Sequence, residues 1–512
     1  MIISRLVMGA VVAVTGIAGS SVASAQEPRD RPSGMTRYLD QRLSWGPCPD
    51  DATELTKAGA QCAQVSVPLD YANPDGRSIE LAISRIEARD GSHRRGVLLS
   101  NPGGPGGAGL DYTALLRPAM KDAADRYDLI GFDPRFVGRS TPIYCGTSPT
   151  VQPTHSRREA FEASVRNARE TARLCHEHGD NAALLPHATS ANIARDMDLI
   201  RAVLGERKLS YYGISYGADL GALYTQMFPR RADRIVIDSV TDPALTQYEN
   251  FQAAGPAQEE GLDEWAAWAA RRHAEYRLGR TPRQVRAAVE RLGAQVDKGP
   301  LRIGDHAMDA NMLGLILRQF VAHEEDNAAL AKAVRNMADA ADGRDVRPVP
   351  ELAMWLELFS EPNPELDNQF NSGNAIFCGD AGWPGGGWPS EPETYWRNIE
   401  RARRTQPVFA ATANGIFPCP FWRTKPHEAP VRIGNRVPML LLQAERDNNV
   451  PYSGAVAMHR RLKGSRLVSA DVRSHGVYGR GLDGRTPVPC ADRAVNAYLR
   501  TGVLPARDIT CG

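Results

Sequence analysis

The chain has 512 residues, with 61 basic and 60 acidic side chains and a formal net charge of +1. That balance, with no long run of like charge, argues against nucleic acid or an anionic membrane surface as a partner. A hydrophobic share of 42% and 36 prolines suit a globular, loop-rich protein, and the length suffices for a catalytic domain carrying a large insertion.

Residues 1–25 read as an export signal. Arg5 supplies the positive charge, residues 6–18 an apolar stretch, and Ala23-Ser24-Ala25 a small-residue cleavage site before Gln26. The apolar stretch is interrupted by Thr15 and Gly16 and is short for a bilayer span of roughly 20 residues, so secretion with release is expected rather than a membrane anchor. A lead-in occupies 26–44. The expected core then runs over 45–242. Residues 63–67 and 79–86 alternate apolar with polar, the mark of half-buried strands, and Asn73-Pro74-Asp75-Gly76 between them is turn chemistry, which predicts a hairpin. Residues 96–100 and 127–132 are instead short apolar runs, as in buried parallel strands. Helix is predicted over 191–204 and 218–228, strand over 209–214 and 234–238. Strand–helix alternation of this kind argues a mostly parallel sheet covered on both faces.

The rhythm stops over 243–432. That stretch carries helical patterns, such as 262–277 and 283–292, and a Gly/Pro/Trp-rich loop at 382–389. Strand–helix order resumes over 433–512, with strands at 437–442 and 466–472 and helices at 453–462 and 491–500. A helical excursion inside a regular α/β domain predicts a cap inserted between two sheet strands. Eight cysteines, an even number, fit an oxidising compartment. None has CxxC spacing, so neither zinc nor another metal is expected. They allow 105 pairings; the simplest joins sequential neighbours, with Cys378 and Cys419 stapling the cap.

The strongest chemical signal is Gly213-Ile214-Ser215-Tyr216-Gly217, with an apolar strand before it and a helix after it. A nucleophile on so tight a turn is crowded, and glycines two residues to either side relieve the crowding. The turn lifts the hydroxyl clear of the sheet and sets it at a helix N-terminus, where developing negative charge is favoured. This predicts an α/β-hydrolase fold with Ser215 as nucleophile. A second glycine-rich loop, Asn101-Pro102-Gly103-Gly104-Pro105-Gly106-Gly107, follows the strand ending at Ser100. It lacks the Lys-Ser or Lys-Thr of a phosphate cradle. Its backbone can approach a reacting carbonyl, so Gly104 and Tyr216 are the expected oxyanion-hole donors. In this fold the acid and then the histidine follow the serine. His475, on a loop after the last long strand, is favoured as base over His459, which sits in a helical pattern. Asp447, after the strand at 437–442, is favoured as acid over Asp238 and Glu445. No cofactor is needed for that chemistry.

With those residues in place, the chain resembles the secreted tripeptidyl aminopeptidases and the related prolyl iminopeptidases, capped α/β-hydrolase serine peptidases. The likeness rests on Val67-Pro68-Leu69-Asp70-Tyr71, Asn101-Pro102-Gly103-Gly104-Pro105-Gly106, Gly131-Phe132-Asp133-Pro134-Arg135, Tyr212-Gly213-Ile214-Ser215-Tyr216-Gly217, and Cys490-Ala491-Asp492-Arg493-Ala494 with Cys511. The resemblance implies removal of short peptides from a free N-terminus by Ser215, Asp447 and His475, with the cap measuring the substrate's amino end. Two departures stand beside the expected pocket. Phe136 follows Asp-Pro-Arg where the family usually has Gly, and Ala218-Asp219 replaces a common Thr-Tyr pair. A buried amine needs an acidic partner, and the cap offers Glu249, Glu259, Glu260 and Asp380. The expected substrate is a peptide or a small acyl compound, an esterase or amidase being the alternative to the peptidase.

Overall fold

The computed structural model describes residues 34–147, 151–358, 362–380, 387–424, 426 and 428–512. The export signal read at 1–25, and most of the loop read at 382–389, lie outside the described residues.

In chain order the strands are β1 (Gly46–Pro47), β2 (Gln61–Pro68), β3 (Ser78–Ile86), β4 (Gly96–Asn101), β5 (Tyr127–Phe132), β6 (Leu209–Ile214) and β7 (Ala232–Asp238). Then come β8 (Leu301–Ile303), β9 (His306–Met308), β10 (Met439–Ala444), β11 (Ser465–Ala470) and β12 (Ile509–Cys511). β8 and β9 pair with each other. The rest form one sheet in the order β1-β2-β3-β5-β4-β6-β7-β10-β11-β12. Pairings from β1 to β5 are antiparallel, and those from β5 onward are parallel. The predicted hairpin is β2 with β3, its turn closed by Gly76 N donating to Asn73 O at 3.0 Å.

The apolar runs of the parallel strands follow from burial on both faces. Leu98 and Leu99, Leu129 and Ile130, Tyr211 and Tyr212, and Leu440 and Leu441 point to opposite sides, and all are buried. One of each pair packs under the helices Ser190–Val203 and Tyr216–Met227, the other under Tyr112–Met120 and Pro489–Thr501. Two quoted motifs serve this scaffold. Asp133 accepts from the N–H groups of Gly109, Leu110 and Arg139 at 2.8 to 2.9 Å. Arg135, fully buried, binds Asp196 through two bonds of 2.7 Å, and Tyr71 donates to the same carboxylate at 2.8 Å. Phe136 is held at φ +72°, a conformation that favours glycine, and its carbonyl accepts from Asn368 Nδ2 at 2.9 Å.

Between β7 and β10 the chain is mainly helical, with Gln247–Ala270, Pro282–Val296, Ala310–Val321, Asn327–Ala341, Pro350–Leu358, Pro364–Gly379 and Pro392–Ala402. These helices enclose a core of their own around Leu262, Trp265, Val289, Leu317, Val334 and Leu352. Periodicity predicted helix over 262–277; the observed helix starts 15 residues earlier and stops at Ala270. Its start is set by a capping box, Thr246 with Glu249, which periodicity alone does not see. A second excursion reaches the same layer. The helix Arg157–Glu177, between β5 and β6, packs Phe161 against Tyr248, Tyr395 and Ile399, and Arg158 pairs with Glu393 at 3.0 Å. The disulfides join sequential neighbours: Cys48–Cys62, Cys145–Cys175, Cys378–Cys419 and Cys490–Cys511. Among the described residues no helix is long and apolar enough to cross a membrane.

Candidate active site

The loops that leave β4, β6, β7, β10 and β11 gather at the C-terminal end of the parallel strands, the end where sites collect in open α/β sheets. Ser215 stands between β6 and its helix at φ 58° and ψ −128°, with its N–H donating to Asp238 O at 2.9 Å. The flanking glycines are dictated by contact. A Cβ on Gly213 would lie 2.2 Å from Gly217 O, and one on Gly217 would lie 2.4 Å from Asn101 O. The glycine-rich loop also touches Ser215: a Cβ on Gly103 would lie 2.5 Å from Ile214 O and 3.0 Å from Ser215 Cβ. Gly103 N donates to Asn101 Oδ1 at 2.9 Å and Gly107 N to Gly103 O at 3.2 Å, so those two N–H groups brace the loop itself. Gly104 sits between them at φ +109°, and Tyr216, first residue of its helix, has no intrahelical acceptor for its N–H.

His475 Nδ1 lies 3.0 and 3.2 Å from the two carboxylate oxygens of Asp447. Asp447 is 1% exposed, and its Oδ1 also accepts from the N–H groups of Asn449 and Val450 at 2.9 Å each. Burial disfavours the imidazolium of His475, but the charge and hydrogen bond of Asp447 outweigh it and raise the pKa above the ordinary 6.5. The contact of Gly476 with Ile214, whose Cδ1 would lie 2.4 Å from an added Cβ, brings the histidine loop against the residue preceding Ser215.

The rival candidates have other partners. Asp238 accepts from Val477 N and Tyr478 N, both at 2.9 Å, and Ser239 Oγ accepts from Gly476 N at 3.0 Å. Asp238 therefore holds the backbone just past His475, a positioning role that its place at a strand end did not reveal. Glu445 is exposed. His459 bonds Ser465 Oγ at 2.7 Å and faces Asp508 at 3.3 Å, away from the site.

The insertion clasps the acid and histidine loops. Asn448 Nδ2 donates to Val321 O at 2.9 Å, Arg473 Nη1 to Gly261 O at 2.5 Å, and Arg318 Nε to Asn449 Oδ1 at 3.0 Å. His323 Nδ1 lies 3.1 Å from Ser474 Oγ, and burial, with surrounding positive groups, drives its pKa down to about 3. Arg318 and His323 carried no motif and were missed in the sequence. Of the four acidic residues considered for an amine, Glu249 caps its helix, Glu260 is exposed, and Glu259 pairs with Arg286 at 2.5 Å while accepting from Val408 N and Phe409 N. Asp380 differs. It is 8% exposed and accepts from Ser190 Oγ at 2.5 Å, and that hydroxyl lies 2.6 Å from Tyr216 OH.

Two sets of resemblances accompany this geometry. A family model described as "TAP-like protein" matches residues 406–511, and one described as "alpha/beta hydrolase fold" matches residues 96–313. A tripeptidyl aminopeptidase of Streptomyces lividans is 35% identical over 98% of this chain and 96% of its own length. The serine protease Hip1 of Mycobacterium tuberculosis is 28% identical over 92% of this chain and 91% of its own. A protein of the same species named carboxylesterase B is 28% identical over 99% of this chain and 96% of its own. The chain belongs to the tripeptidyl aminopeptidase family of α/β-hydrolase serine peptidases.

Proposed function

We propose that the enzyme releases tripeptides from free N-termini by acyl transfer. Ser215 Oγ attacks the scissile carbonyl while His475 Nε2 takes its proton, and His475 then delivers that proton to the leaving amine. Water repeats the sequence on the acyl-enzyme. Asp447 fixes the tautomer of His475 and stabilises the imidazolium, and the N–H groups of Gly104 and Tyr216 receive the oxyanion. The observation that carries this reading is the 3.0 Å bond between His475 Nδ1 and buried Asp447, on a loop packed against the strained Ser215 turn.

The insertion over 243–432 serves as the roof that admits loose chain ends and turns folded proteins away. Export follows the leader at 1–25, with cleavage near Ala25, which N-terminal sequencing of the mature protein tests. The amino-end reading is tested by a tripeptide amide and its N-acetylated twin. Acetylation should lower kcat/KM by about 10²-fold or more, the loss of one charge contact of about 2.7 kcal/mol. A change within about twofold would turn the assignment toward an endopeptidase or an esterase. The relative named carboxylesterase B supports keeping the ester reading as second, and p-nitrophenyl esters assayed beside the amides separate the two.

A further inference from the structure

At the end of the sheet opposite Ser215, an open groove of about 420 Å³ lies where β7 and β10 begin. Four segments meet there. Lys208 stands just before β6, Asp233 and Arg234 at the start of β7, residues 436–438 ahead of β10, and Tyr498 with Gly502 at the close of the helix Pro489–Thr501. The volume is that of a small-molecule site, which typically holds roughly 300–1,000 Å³. Lys208, Arg234 and Arg436 stand against the single acid Asp233, so the walls carry two surplus positive charges.

Arg234 is the buried member of the set. It is 3% exposed, yet only one of its guanidinium nitrogens has a partner: Nη1 donates to Tyr127 OH at 3.1 Å and faces Asp233 Oδ2 at 3.6 Å. Among the described residues Nε is buried without an acceptor, and Nη2 makes no hydrogen bond. An added Cβ on Gly502 would lie 2.6 Å from Nη2 and 3.0 Å from Nε, so a side chain at that position would cover this edge, and glycine leaves it bare. Buried donors left unused cost free energy, and an oxyanion would offset that cost. Lys208 and Arg436 are both exposed, and among the described residues neither belongs to an ion pair.

We infer that this groove is a second ligand site, apart from the catalytic one, and that it binds a small phosphate monoester. The unused edge of Arg234, Nε with Nη2, is a guanidinium edge that can meet two phosphate oxygens side by side. Two surplus charges match the dianion that a phosphate monoester becomes above a pKa of about 6. Lys208 and Arg436, on long exposed side chains, close on the same group. Ala232, Val437, Pro438 and the ring of Tyr498 supply an apolar side, which suits the organic part of an ester better than a bare inorganic ion. The hydroxyl of Tyr498 is already engaged, donating to Pro438 O at 3.1 Å. Arg234 and Asp238, whose carboxylate holds the backbone just past His475, are four residues apart on β7, about 13 Å along a strand. A ligand in the groove therefore leaves Ser215 open to its substrate, and the inference does not depend on the peptidase reading.

The test is isothermal titration of the whole protein with phenyl phosphate, in a low-salt buffer free of phosphate. One saturable site with a Kd of about 1 mM or tighter is expected. Inorganic phosphate should bind about threefold more weakly or worse, because it leaves the apolar side unfilled. Arg436→Ala should weaken phenyl phosphate by about 10-fold and Arg234→Gln by about 10-fold or more. Arg436 is exposed, so its variant decides the matter if Arg234→Gln fails to fold. Saturating phenyl phosphate should leave kcat/KM on a peptide amide within about twofold of its value without it. No saturation by about 10 mM, or unchanged affinity in Arg436→Ala, would overturn the inference. So would equal binding of sulfate, which would mark an adventitious ion only, or loss of turnover at saturation, which would place the anion at Ser215.

Discussion

The turn at Ser215 and the small cavity beside it share Tyr216, yet the chain builds them in different ways. At the turn, backbone meets backbone: Gly213 against Gly217 O, Gly217 against Asn101 O, Gly103 against Ile214 O, each with no room for a Cβ. In the pocket, side chains from separate segments meet, with Ser190, Asp219, Phe377, Asp380 and Trp388 each supplied by its own local structure. Crowded backbone tolerates few residue types, so chemistry built on it is rigid and conspicuous. A wall assembled from side chains can change by one substitution while the turn stays as it is. If so, changes at the turn and at the Asp447–His475 pair should lower turnover most, and changes in the insertion should lower it least.

The largest loss is expected at Asp447→Asn, where kcat should fall by about 10⁴-fold because the imidazole loses its orienting partner and the counter-charge for its protonated form. Steady-state kinetics on a peptide amide, with near-UV circular dichroism as a control for folding, measures it. Gly217→Ala comes next. Its new methyl must displace Asn101, and a shift of about 1 Å in the turn should cost on the order of 10²-fold in kcat/KM. Activity within about twofold of wild type would show that the turn is softer than the contact distances imply.

A smaller, directional effect concerns pH. The base must be neutral, so kcat/KM should rise through a midpoint above 6.5, where Asp447 holds His475. In Asp447→Asn, burial acts without that opposing charge, and the residual activity should rise through a midpoint below 6.5. An unmoved midpoint would assign the limb to another group.

The smallest effect on the chemical step is expected from the insertion. Cys378 lies between Phe377 and Asp380 of the pocket wall and closes a loop of sequence separation 41 with Cys419. Replacing both cysteines by serine should lower unfolding stability by about 4 kcal/mol, in the loop-entropy account. It should lower kcat/KM on a peptide amide less than Gly217→Ala does. A loss as large as that of Gly217→Ala would make the wall and the turn one mechanical unit.

The same difference explains what could be read from the sequence. The tight turn at Ser215 and the pairing of His475 with Asp447 were legible because a five-residue motif, strand–helix rhythm and chain order constrain them, and the parallel strands were legible from their apolar runs. Asp238 was visible as a residue at a strand end, but its bonds to Val477 N and Tyr478 N depend on where a loop some 240 residues away returns. The start of the helix Gln247–Ala270 was hidden because its signal was a cap, and the contact of Arg157–Glu177 with the insertion because it is purely tertiary. Among the acidic residues Glu249, Glu259, Glu260 and Asp380, composition gave no order; their partners in space did.

The central claim is that Ser215 is the nucleophile of an acyl-transfer peptidase. The most direct test labels the wild-type protein and Ser215→Ala with a fluorophosphonate probe and maps the adduct by peptide mass spectrometry. The account predicts one adduct, on the peptide bearing Ser215, and none in the variant; an adduct on another residue, or labelling of Ser215→Ala at the wild-type rate, would contradict it.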